Sequence, residues 1–165
     1  MSEVIAPEGE ELKMGSLYHG LVQGKLITLL SNDERLTVIP ELSLDVSQID
    51  LSQFGIKVKN ELIPDVCLYK RYPPEPEPLS DVLQVTQMPQ LVIDVLSPGQ
   101  AVSEILAKFK AYFALGIKSC WLVIPWPVNC VMVHSLTHSK TFGTENTEII
   151  DETIDIHLPI QKIFK

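Results

Sequence analysis

Apolar positions along this chain follow first a helical spacing and then an alternating one. Leu17, Leu21, Val22, Leu26, Leu29 and Leu30 recur at helical spacing behind Ser16, which is placed as an N-cap. The pattern predicts a helix over residues 16–30 that Ser31-Asn32-Asp33 ends. From 36 to 46 the rhythm becomes alternation, with Leu36, Val38, Leu42, Leu44 and Val46 facing one way. That reads as a strand or a bent pair of strands, and Pro40 marks an edge or bulge. A second strand region is expected over 63–69, and the proline-rich run 72–78 must be an extended surface loop. LVIDVL at 91–96 is almost continuously apolar, as a strand buried on both faces is. After a turn at Ser97-Pro98-Gly99, Val102, Ile105, Leu106, Phe109, Tyr112 and Phe113 form one stripe of a helix over 102–115, with Gly116 at its C′ position. Strands at 120–124 and 129–136, joined by a tight turn around 125–128, complete the centre. Residues 149–156 are expected to add a last strand, and 158–164 a closing turn or short helix.

The order implies an α/β fold built on a β-α-β unit from 91 to 124. The 165 residues suit one domain over 15–165 behind a tail at 1–14. A chain of this length buries about 68–70% of its unfolded surface, so it needs no metal or disulfide staple to fold. No apolar stretch is long enough to span a bilayer, and the acidic N-terminus lacks the shape of a signal peptide. Cys67, Cys120 and Cys130 form no C-x-x-C pair and sit in apolar, strand-like runs, which reads as free thiols in a cytoplasmic protein. The formal charge of −8 argues against a general nucleic-acid coating protein. It leaves room for a local basic patch, for which Lys57, Lys59, Lys70, Arg71, Lys110 and Lys118 are the candidates.

Asp94 stands out because it lies inside LVIDVL. A carboxylate there must be paired, protonated or bound to a cation, or else cap the following helix. Asp65 opens the second strand region after Pro64; alone it is a Pro-Asp turn. If the two strands are neighbours, the two acids converge at one sheet edge, and hard cations such as Mg²⁺ take such oxygen ligands. Lys108 either pairs with Glu104, one helical turn away, or leans toward the acids, where it could orient water or offset charge on a phosphate. His19 borders the apolar stripe of the first helix, where it either packs or serves the site. His134, His138 and His157 show no zinc-ligand spacing, and Ser97 lacks a nucleophile elbow. Gly15, Gly20 and Gly24 make no phosphate loop.

These residues resemble a known pattern. Pro64-Asp65-Val66, LVIDVLSPG from Leu91 to Gly99, Lys108, Tyr112, Gly116-Ile117 and Trp121-Leu122-Val123 with Pro125 are similar to the bacterial Uma-two "putative restriction endonuclease" family. Tyr18-His19-Gly20, Glu41-Leu42 and the stretch 158–164 extend the likeness. Asp94 replaces a commoner glutamate, Glu104 stands where aspartate is frequent, and Cys120 and Ile124 replace an aromatic and an acidic residue. The resemblance implies a PD-(D/E)XK fold, a mixed central sheet flanked by helices. It implies a DNA endonuclease using Mg²⁺ or Mn²⁺, held by Asp65, Asp94 and the backbone carbonyl of Val95. Lys108 would be the catalytic lysine, moved from the strand to the helix. His19, Glu41, Glu104 and Tyr112 are expected around the site or against substrate, and a homodimer follows from the class. The alternatives are a catalytically silent binding or assembly module on the same fold, and a nuclease for RNA or nucleic-acid ends.

Overall fold

The computed structural model describes residues 16–58, 60–71 and 76–165. The tail at 1–14, Lys59 and most of the proline loop lie outside those residues. The first helix, α1 (Leu17–Ser31), starts where the N-cap pattern places it, and the Ser16 hydroxyl accepts the His19 N–H at 3.1 Å. Pro40 splits the alternating run after it. β1 (Thr37–Pro40) ends at the proline, and β2 (Leu44–Asp45) leaves for a separate two-stranded ribbon with β3 (Glu61–Leu62). A 3-10 turn at Leu51–Phe54 lies between them.

β4 (Val66–Tyr69), β5 (Leu91–Val95), β6 (Ser119–Ile124), β7 (Cys130–His134) and β8 (Ser139–Gly143) join β1 in one sheet of order β1-β4-β5-β6-β7-β8. Only β5 and β6 are parallel, linked by α2 (Val102–Ala114). That helix stops at Gly116 (φ 93°), where the Ile117 and Gly116 N–H groups return to Tyr112 O and Phe113 O, the paired bonds of a Schellman cap.

The expected single strand at 149–156 is instead a hairpin of β9 (Glu148–Asp151) and β10 (Ile156–Pro159), followed by α3 (Ile160–Phe164). The turn between the strands places Asp155 at φ 54°, which a continuous strand does not accommodate. β8 was not legible as a strand. It is an edge strand that buries Phe142 alone, so its sequence, SKTFG, carries no alternation.

The sheet divides two apolar cores. On one face α1, the β9–β10 hairpin and α3 cover Val66, Leu68, Leu91, Ile93, Trp121 and Val131. On the other, α2 and the β2–β3 ribbon cover Cys67, Tyr69, Val92, Cys120 and Leu122. Burial on both faces explains why β5 and β6 read as unbroken apolar runs.

Candidate active site

Four elements, β4, β5, α1 and α2, deliver side chains to one end of the sheet. β4 and β5 run antiparallel with Val66 opposite Ile93, and one step further along that register Asp65 meets Asp94. Asp65 is 0% exposed and Asp94 6%. Each acid is tied to the other strand. The Asp65 N–H donates to Asp94 Oδ1 at 3.2 Å, and the Val95 N–H donates to Asp65 Oδ2 at 2.7 Å. Side chains alternate along β5, so Asp94 shares with Val92 the face that α2 covers.

α1 supplies a grip on Asp65. His19 is 4% exposed, and its Nε2 lies 3.1 Å from Asp65 Oδ2. One turn later the Gln23 side-chain amide donates to the Asp65 carbonyl at 2.9 Å, and the Glu41 N–H reaches the same carbonyl at 3.2 Å. The Ser16 cap fixes where the helix starts, and four-residue spacing puts His19 and Gln23 on one face. Glu41 follows Pro40 with φ 48° and an exposed side chain, so its backbone is what touches Asp65.

α2 faces the acids from above the sheet. Ile105, Phe109, Ala111 and Tyr112 are its buried positions, and half-buried Lys108 falls on that arc between Ala111 and Tyr112. Glu104 is exposed in the first turn, where an acid suits the helix dipole. Burial pushes the Tyr112 phenol well above its ordinary value, and the charge of Asp94 adds to this, as to a lesser degree do Cys67, Cys120 and Asp65. Tyr112 is therefore a neutral phenol close enough to feel both acids. Burial and then Asp94 also raise the Cys67 and Cys120 thiols, which stay protonated.

The structure thus joins the Asp65 and Asp94 segments through main-chain N–H groups and sets the His19 Nε2 3.1 Å from the Asp65 carboxylate, without hydrogen-bond geometry. It sets Tyr112 within reach of their charge and turns the arc bearing Lys108 to the same sheet face. Gln23 was missed by sequence reasoning. Its signal was its place one turn after His19, beside the apolar stripe. Three of the six basic-patch candidates lie away from the acids, and Lys59 lies outside the described residues. Lys70 and Arg71 follow β4 and Lys118 precedes β6, all at the opposite end of the sheet.

The donor set suits a hard cation. Carboxylates and backbone carbonyls are oxygen ligands, and Mg²⁺ is commonly held by one or two carboxylates while water and substrate phosphate complete its shell. Among the described residues no group of three or more His, Cys, Asp or Glu is arranged to hold a metal ion.

Residues 4–160 match the model of the Uma2 family, described as "Putative restriction endonuclease". The chain belongs to that family. No curated protein matches it. Among solved structures it is similar to a putative nuclease belonging to DUF820 from Anabaena variabilis, with a TM-score of 0.73 and 18% identity over 96% of this chain and 87% of that one. At that identity the likeness speaks for the fold alone. The Uma2 chain therefore has the mixed six-stranded sheet and flanking helices of a nuclease-type α/β fold.

Proposed function

We propose that this chain is a divalent-cation-dependent nuclease that hydrolyses DNA phosphodiester bonds. The observation that carries the reading is the reciprocal lock between Asp65 and Asp94, in which each buried carboxylate accepts a backbone N–H from the other's strand. Asp65 and Asp94 would hold Mg²⁺ or Mn²⁺, with the Val95 carbonyl as a third ligand. When bound, such an ion polarises a phosphate oxygen and lowers the pKa of coordinated water. Lys108 orients the attacking water or offsets charge that develops on the phosphate. His19 and Gln23 fix the Asp65 side chain and main chain, and Tyr112 closes the floor of the site as an uncharged phenol.

The test uses circular DNA, single-stranded and supercoiled, which only an endonuclease can open. Purified protein should cut in Mg²⁺ or Mn²⁺ and not in EDTA. Asp94→Ala and Lys108→Ala should each slow the reaction on the order of 10²-fold or more. Cutting that survives both substitutions would show that the activity lies elsewhere. No cutting, together with no Mn²⁺ binding by calorimetry, would favour a binding module on the same fold.

A further inference from the structure

The rim around the two acids carries side chains that the proposed chemistry leaves unused. Tyr18 and Trp126 are 53% and 65% exposed, and among the described residues no other Phe, Tyr or Trp is classed as exposed. The topology places both at the carboxylate end of the sheet. The Tyr18 main chain adjoins that of His19, whose Nε2 lies 3.1 Å from Asp65 Oδ2, and its side chain leaves the helix about 100° round from that of His19. β6 runs parallel to β5, with Val123 opposite Val95 and the Leu96 N–H donating to Val123 O at 2.8 Å. Trp126 lies three residues beyond Val123, a reach of no more than about 11 Å of chain. Pro125 and Pro127 flank it, and their fixed φ angles limit how far the turn can wander. Val128, in the same turn, is exposed as well.

The formal charge of −8, with Lys70, Arg71 and Lys118 at the far end of the sheet, leaves little phosphate neutralisation for duplex and single strand alike, so contact with the bases must carry more of the binding. A duplex presents only base edges, in its grooves. An unpaired nucleotide presents the flat face of its base, and exposed aromatic rings bind that face whatever the sequence.

We infer that the site takes nucleic acid whose bases are unpaired beside the scissile phosphate, with Trp126 and Tyr18 stacking on those bases. The inference rests on the nuclease reading of Asp65 and Asp94. A strand already unpaired needs one site to be cut, not two.

Trp126 also supplies the probe, because the chain's other tryptophan, Trp121, is fully buried. The full chain in EDTA is titrated with short single-stranded DNA, with single-stranded RNA, and with the same DNA as a duplex. The expected result is quenching of tryptophan fluorescence by single strands and an affinity several-fold tighter than for the duplex. Trp126→Ala should weaken single-strand binding on the order of 10-fold, Tyr18→Ala less, and Trp126→Phe should restore most of it. Both side chains are exposed, so unchanged circular dichroism is expected of the variants. The DNA and RNA arms tell which nucleic acid supplies the unpaired base. Tighter binding of duplex, or single-strand affinity untouched by both alanine variants, would overturn the inference. So would quenching that depends on protein concentration alone, since a second copy would then cover the rim. The nuclease reading survives any of these provided the wild type cuts circular DNA and Asp94→Ala does not. If there is neither cutting nor Mn²⁺ binding, that reading falls and takes this inference with it.

Discussion

Asp65 shows how much structure one acid can draw around itself. Its N–H reaches Asp94, its Oδ2 meets Val95 N–H and His19, and its carbonyl takes Gln23 and the Glu41 N–H. Buried polar groups must be partnered or cost free energy, and here the partners come from α1, β5 and the residue after β1. Gln23 shares its acceptor with Glu41, so its loss leaves the carbonyl bonded. Gln23→Ala should therefore destabilise the fold by only about 1 kcal/mol in urea unfolding. The same variant should weaken Mn²⁺ binding several-fold by calorimetry, because Asp65 loses a point of fixation. An unchanged Mn²⁺ affinity would reduce Gln23 to an ordinary packing contact.

At the scale of elements, the β9–β10 hairpin is the piece with least local reason to sit where it does. Besides the apolar packing of Ile149, Ile154, Ile156 and Leu158, a polar tie holds it: the Trp121 indole N–H donates to Asp151 Oδ2 at 2.8 Å, and the Thr153 N–H donates to Asp151 Oδ1 at 3.1 Å. Trp121 and Asp151 are both buried. Asp151→Ala orphans a buried indole N–H and unties the turn, and leaving such a donor unsatisfied costs about 1–3 kcal/mol. Urea unfolding should register that loss. Trp121→Phe should suppress part of it, since the orphaned donor is gone.

For the molecule as a whole, acid sensitivity has a traceable source on the α2 face. His134 packs edge-on to Phe109, with ring centroids 5.7 Å apart, and burial lowers its pKa below the ordinary 6.5. The unfolded chain then takes up the proton first as pH falls. The contribution of His134 is complete above about 6.5, declines below it, and levels off once pH passes the folded-state value. Stability measured from pH 7.5 to 5 should fall accordingly, and His134→Leu should flatten that part of the slope. A slope that the variant retains would assign the effect to other groups.

The sequence by itself determined α1, β5, α2 and β6. Their signals are local: a serine cap, apolar periodicity, an unbroken buried run and a glycine at the only conformation that ends α2 as observed. It also pointed to Asp94, an acid inside an apolar strand, whereas Asp65 and Lys108 carry weak signals alone and joined it through the family resemblance. It did not reveal β8, whose one buried residue leaves no alternation, or the turn that divides 149–156 into two strands. Only the tertiary structure decided that Asp65 stands opposite Asp94, that His19 and Gln23 close on Asp65 from another layer, and that the basic residues after β4 and before β6 lie far from both acids. Strand pairing and layer packing join residues tens of positions apart, and no local spacing encodes which of them will meet.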